Sequence, residues 1–151
     1  MPSTLRHTDL AIVGGGIIGL ANAILAARSG FRVALYEADS AACGASIRNF
    51  GLITVSGQAQ GEVWRLSRRS RDIWDQIADE AGLPILQRGM VMAAQSPEAA
   101  TVLEAFLATP MGSVCATLSP KHAGRHVPML RQACIETAAL SPHELRVDPR
   151  M

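Results

Sequence analysis

The residues best placed to do chemistry are Gly14-Gly15-Gly16-Ile17-Ile18-Gly19, with Glu37 about twenty positions further on. Glycines at the first, third and sixth places of that run fit the grip on a dinucleotide pyrophosphate. Gly14 permits a tight turn, Gly16 lets the backbone approach the phosphates, and Gly19 lets a helix lie close against a strand. The N–H groups at the start of that helix, at Ile17 and Ile18, face the anion with the positive end of the helix dipole behind them. Glu37, followed by Ala38, would accept hydrogen bonds from the ribose hydroxyls, and its charge would repel a 2′-phosphate, which counts against NADP.

This glycine pattern carries weight only on a strand–helix–strand frame, and the flanking residues supply one. Leu10 to Val13 is a short apolar run ending in glycine, the pattern of a buried parallel strand. Ile17 to Ser29 reads as a helix stopped by Gly30, and Phe31 to Tyr36 as a second strand. Two strands joined by so short a crossover lie parallel in one sheet. The loop from Ala38 to Gly61 is rich in Gly, Ser, Ala and Asn and is long enough to be functional.

Beyond it, Glu62 to Ala81 is a helix ended by Gly82. Val63, Leu66, Ile73, Ile77 and Ala81 form its expected apolar face, and its arginines a solvated one. Trp64 and Trp74 read as packing residues, with no nucleic-acid platform around them. Extended segments are expected on both sides of Gly89, the clearer being Met90 to Ala94. A helix capped by Ser96 with Pro97 in its first turn runs to about Ala108. Cys134 to Leu140 and Glu144 to Val147 read as strands flanking a turn at Ser141-Pro142-His143. Asp148-Pro149-Arg150 resembles the start of another helix, so the chain reads as the front part of something larger.

Composition narrows the class. The chain has 151 residues, 48% of them hydrophobic and 18% charged, with a net charge of +1. That is a globular composition with no electrostatic reason to expect nucleic acid or an acidic membrane surface. The apolar stretch from Leu10 to Ala27 is interrupted by four glycines and Asn22, so no membrane span or targeting segment is expected. Cys43, Cys115 and Cys134 offer neither a disulfide framework nor zinc spacing, which fits a reducing cytoplasm. His122 and His126 are four apart but lack a third ligand, so no metal is expected.

Whether the dinucleotide is FAD or NAD is decided by the loop. Asp9-Leu10-Ala11-Ile12-Val13-Gly14-Gly15-Gly16-Ile17-Ile18-Gly19-Leu20-Ala21, Glu37 and Gly44-Ala45-Ser46-Ile47-Arg48-Asn49-Phe50-Gly51 together resemble the D-amino-acid oxidase and glycine oxidase family of flavoproteins. Arg48-Asn49-Phe50-Gly51, the helix bearing Ser70-Arg71, and Ser141-Pro142-His143-Glu144-Leu145-Arg146-Val147-Asp148-Pro149-Arg150 resemble a subgroup associated with phosphonate catabolism.

The resemblance implies an α/β fold: a Rossmann-like FAD/NAD(P)-binding domain, doubly wound but incomplete, over residues 1–80. The start of an α+β substrate domain follows over residues 81–151. It implies FAD as cofactor, with Ala45, Ser46, Asn49, Phe50, Gly51 and Leu52 running along the pyrophosphate and flavin. It also implies hydride transfer from the amine-bearing carbon of a small amine, amino acid or aminophosphonate, giving an imine that hydrolyses. The flavin carries the redox chemistry, so no catalytic side chain is assigned, and Arg48 is the residue able to approach a substrate anion. Members of the family are longer, and their second glycine motif and substrate-carboxylate arginine have no counterpart in this sequence. The alternatives are a fragment of such an enzyme without turnover and an NAD-binding dehydrogenase domain. The sequence leaves the amine, the electron acceptor and the oligomeric state open.

Overall fold

The computed structural model describes residues 7–40 and 43–150. They form two compact units, one reaching to Phe50 and the other spanning Gly51–Pro149.

The first unit is the expected βαβ element. β1 (Leu10–Val13) and β2 (Val33–Tyr36) pair in parallel, with Leu10 opposite Val33 and Val13 opposite Tyr36. Between them runs α1 (Ile17–Arg28), and Gly30 follows with φ of 88°. A positive φ costs glycine little, which is why the chain turns there. Phe31 and Arg32, expected to begin the second strand, precede it. No residue of α1 is buried, and Ile18 and Leu25 are 78% and 67% exposed.

The second unit is built on one long central strand. Its elements are β3 (Leu52–Ile53), α2 (Glu62–Ala81), β4 (Gln87–Ala94), α3 (Pro97–Leu107), β5 (Ala116–Leu118), α4 (Pro120–His126) and β6 (Thr137–Arg146). β6 pairs antiparallel with β4, β3 and β5. Successive residues of β6 face opposite sides of the sheet, so each side has its own core. Ala139 packs with Ala94 and Leu103 of α3, and Ala138 packs with Ala123 of α4 and Ile135. Ser96 caps α3 and Ser119 caps α4 through their hydroxyls. Pro97 and Pro120 sit in the first turns, where the missing N–H costs nothing.

The second unit departs from the sequence expectation in three places. Cys134 to Leu140 and Glu144 to Val147 are not two strands around a turn, because β6 runs unbroken from Thr137 to Arg146. Its register explains how it passes Pro142. Met90 faces Ser141 and Arg88 faces Leu145, so Pro142, His143 and Glu144 lie opposite Gly89 alone. The strand bulges rather than turns, and the missing N–H of Pro142 falls where the ladder is already open. Gly89 has φ of 79°, and a Cβ there would lie 2.8 Å from the carbonyl oxygen of Ser141.

α2 is rotated from the orientation expected, and of the predicted stripe only Ile77 is half-buried. Val63, Leu66 and Ile73 are 48%, 57% and 39% exposed, whereas Trp64, Ser67, Arg71, Trp74 and Ala78 turn inward. The tryptophans outweigh the aliphatic stripe because they bury more surface each. Finally, Asp148-Pro149-Arg150 continues without a helix, Pro149 and Arg150 lying in a turn.

Candidate functional site

In the first unit the glycine run forms the floor of an open cleft of about 760 Å³, lined by Gly14, Gly16, Ile17, Ile18, Gly19, Ala45, Ser46 and Asn49 among others. β1 ends where the N–H of Gly14 donates to the carbonyl of Tyr36 at 2.7 Å. Gly14 then turns with φ of 104°. Gly16 is the N-cap of α1 and has no side chain to fill that place. Further along, a Cβ on Gly19 would run into the carbonyl oxygen of Gly14. The helix therefore approaches the strand as closely as glycine allows. Its first N–H groups have no intrahelical acceptor, and one of them is already engaged: Ile17 N–H donates to Ser46 Oγ at 2.9 Å.

Glu37, just past β2, stands beside the glycine run. Its Oε2 accepts the N–H of Gly15 at 2.5 Å, and its Oε1 accepts the N–H groups of Ala38 at 2.8 Å and Asp39 at 3.2 Å. These bonds, that from Gly15 foremost, hold the carboxyl below the usual carboxylate range. A carboxylate that stays ionised beside the glycine run suits ribose hydroxyls. The bare backbone, the positive helix end and this acceptor fit the adenosine-diphosphate half of a dinucleotide.

The loop residues Ala45, Ser46 and Ile47 form a single 3₁₀ turn. Asn49 Nδ2 donates back to the carbonyls of Ser46 at 2.8 Å and Ala45 at 3.3 Å, so the turn is tied down by its own side chain. Ala41 and Ala42 of the same loop lie outside the described residues. Arg48 and Phe50 are exposed, Phe50 by 84%. Cys43 donates its S–H to Asp39 Oδ2 at 2.7 Å. The hydrogen bond and charge of Asp39 push that thiol's pKa up, so it is no activated thiolate.

Gly51 and Leu52 open the second unit. Gly51 is buried with φ of 68°, and its carbonyl accepts the N–H of Val147 at 3.0 Å. Leu52 pairs with Arg146 in the sheet and is 58% exposed.

A second polar constellation, absent from the sequence reading, lies behind that segment. Glu144 is 4% exposed, yet its Oε1 accepts the N–H of Ser56 at 2.8 Å and of Val55 at 3.4 Å. Ser56 Oγ and Ser141 Oγ are 2.7 Å apart and hydrogen-bonded. Burial pushes the Glu144 carboxyl up. Hydrogen bonds from Ser141 and from the N–H and hydroxyl of Ser56 outweigh it and leave the group below its ordinary value. His143 is 6% exposed, its ring edge-on to Trp64 at 6.4 Å between centroids. Burial, then the charges of Arg68 and Arg71, lower its pKa. The signal in the sequence was Ser-Pro-His-Glu inside a strand pattern, where proline marks a bulge that re-aims side chains.

Among the described residues no group of His, Cys, Asp and Glu is arranged to hold a metal ion, and His122 and His126 are both exposed on α4. No helix among those residues is long and apolar enough to cross a membrane.

The family described as FAD dependent oxidoreductase matches residues 9–151. Among solved structures, the glycine oxidase of Bacillus cereus is 27% identical with a TM-score of 0.76, over 95% of this chain and 42% of that one. The glycine oxidase of Geobacillus kaustophilus is 26% identical with a TM-score of 0.78, over 95% and 41%. The fold is shared with the FAD-bound L-α-glycerophosphate oxidase of Mycoplasma pneumoniae, at 19% identity and a TM-score of 0.77 over 95% and 39%. The chain thus spans about two fifths of the length of these proteins. None of the curated proteins matches the sequence significantly.

Proposed function

The chain belongs to the family of FAD dependent oxidoreductases, and from that membership we propose that it binds FAD and serves the oxidation of a small amine, amino acid or aminophosphonate. The carrying observation is the glycine cradle that ends on Glu37, with Gly15 N–H bonded to its carboxylate. Gly14, Gly16, Ile17, Ile18 and Gly19 hold the pyrophosphate. Glu37 and Ala38 hold the ribose, and Ala45, Ser46, Asn49, Phe50, Gly51 and Leu52 border the cofactor further along. When bound, FAD would supply the redox chemistry of amine oxidation.

The protein's share is placement. The helix end offsets phosphate charge, the ionised Glu37 orients the ribose, and the exposed Arg48 meets the anionic group of the substrate. A carboxylate and a phosphonate are both anions that a guanidinium pairs with, so Arg48 leaves room for an aminophosphonate, and the glycine oxidase likeness favours a small amino acid. The free cysteines Cys43, Cys115 and Cys134 suit the cytoplasm.

A second reading is a chain that grips FAD without turnover. It is favoured by the bare apolar surface of α1 and β1, where Val13 is 88% and Ile18 78% exposed. Dye reduction by the FAD-loaded chain with glycine, D-alanine, sarcosine and aminoethylphosphonate separates the two. Turnover with any of these amines supports the oxidoreductase, whereas bound flavin with no reduction by any of them leaves the grip alone.

A further inference from the structure

α2 is held to the sheet of the second unit differently from α3 and α4. Those two helices pack through the apolar clusters around Ala139 and Ala138, and among the described residues neither cluster includes a residue of α2. What α2 turns inward is Trp64, Ser67, Arg71, Trp74 and Ala78. Trp64 meets β6 at its bulge, on the ring of His143. The ion pair of Arg88 with Asp75, at 2.7 Å, also joins α2 to β4, but it is exposed and such pairs contribute little.

His143 is therefore a titratable group set into the contact itself. It is buried, and its ring stands edge-on to Trp64 at an interplanar angle of 80°. Arg68 lies over the same indole, 5.0 Å from its centroid. The Nε2 atom of His143 is buried with no hydrogen-bond partner among the described residues. An imidazolium carries an N–H on both ring nitrogens. One of them would be this Nε2, where a charged donor without an acceptor is far costlier than a neutral ring. The cation would also stand beside an indole that already carries Arg68. The charges that act on His143 are Arg68, Arg71 and Asp72 from α2 and Glu144 from β6. Asp72 and Glu144 favour the cation, but Asp72 is paired with Arg71 at 3.2 Å. Burial first, then the two arginines, oppose it and prevail.

We propose that the contact of Trp64 with His143 is an acid-sensitive clasp, released by protonation of His143, which lets α2 lift from the sheet while the β4–β6 ladder stays intact. The direction follows from linkage. His143 titrates below 6.5 when α2 is docked, so the lifted state takes up the proton first. Docking is then at full strength above pH 6.5 and weakens as pH falls below it. Helices in proteins draw most of their stability from the packing of one face, so a lifted α2 also frays. The segment before it does not follow. The Glu144 carboxyl lies below 4.5 and stays ionised in this range, so the N–H groups of Val55 and Ser56 keep their acceptor.

Both tryptophans of the chain, Trp64 and Trp74, are on α2, so their emission reports on this helix. In the full chain the emission maximum moves reversibly to longer wavelength between pH 7.5 and 5.5. The wavelength is the readout, because a protonated imidazole can quench intensity without any movement. Amide exchange in α2, corrected for its intrinsic pH dependence, rises several-fold over the same range, and by no more than about tenfold, the limit for one proton. The amides of the ladder and those of Val55 and Ser56 change little. His143→Asn removes both responses. His126→Gln, at an exposed position of α4, keeps them.

An emission maximum and α2 exchange rates that stay constant from pH 7.5 to 5.5 would overturn the proposal. So would exchange that rises together in α2 and the ladder, which is general acid unfolding, or a pH response that persists in His143→Asn. Should His143→Asn fail to fold, the wild-type comparison of α2 with the ladder decides by itself.

Discussion

Replacing Gly19 by alanine probes the close approach on which the cradle depends. In an open helix the change is favourable by about 1 kcal/mol, since alanine has the better helix propensity. Here the new Cβ would collide with the carbonyl oxygen of Gly14, come within 3.1 Å of its carbon and 3.5 Å of Ile12 Cγ2. The colliding atom belongs to backbone held by the Gly14–Tyr36 hydrogen bond at 2.7 Å, so no rotamer change relieves it. Overpacking of this kind costs about 1–3 kcal/mol, and because the obstacle is rigid the upper part of that range applies.

The net expectation is a loss of about 1–2 kcal/mol. Urea unfolding followed by far-ultraviolet circular dichroism measures it, with Gly44→Ala as control. Nothing lies within 4 Å of a Cβ at Gly44 and its φ is −82°, so that variant stays within about 0.5 kcal/mol of the wild type. A Gly19→Ala chain as stable as the control, or more stable than the wild type, would show that the helix does not need its contact with the strand.

Other perturbations reach the remaining parts. Ser46→Ala removes the acceptor of Ile17 N–H and should destabilise by about 1 kcal/mol, as loss of a helix cap does, measured by the same unfolding. Glu37→Gln should weaken FAD while leaving the fold intact, measured by titration against flavin fluorescence. Because the Glu37 carboxyl is held below its ordinary value of 4.5, its contribution is present above that pH and lost as pH falls through the lower folded value. The wild-type affinity should therefore be flat at neutral pH and fall only in acid.

His143 also titrates on folding, its folded pKa lying below 6.5 through burial first and the arginine charges next. The unfolded chain takes up a proton first as pH falls below 6.5, so stability declines from there downward. His143→Asn should flatten that part of the curve in unfolding measured at a series of pH values. The exposed apolar residues of the first unit, among them Val13, Ile18 and Leu25, should make the chain associate as its concentration rises. Sedimentation velocity would show this, and a single monomeric species at all concentrations would contradict it.

What the sequence made legible follows from the range of the interactions involved. The βαβ unit was readable because its signals are local. The glycines act within one turn, Gly30 follows its own helix, and Glu37 comes directly after its strand. Gly82 likewise stops α2 at Ala81, in the left-handed conformation that favours glycine. Long-range effects were not readable. Which face of α2 turns inward depends on β6, some sixty residues later, and the moment of the aliphatic stripe pointed the wrong way. The turn expected at Ser141-Pro142-His143 became a bulge because Gly89, on another strand, gives it room. Ser46 reaching the start of α1 and Glu144 reaching Ser56 are likewise contacts across 29 and 88 positions, which no periodicity records. Ser46 was singled out only by the family resemblance of its loop, and Glu144 not at all as a site residue.

The claim at the centre is that the glycine cradle and Glu37 take up FAD. Titration of the purified chain with FAD, and separately with NAD, read by the visible flavin spectrum and by thermal shift, tests it most directly. FAD should give a saturable change in the flavin bands and a rise in melting temperature, both reduced in Gly19→Ala and Glu37→Gln. Stabilisation by NAD with none by FAD, or by neither, would contradict it.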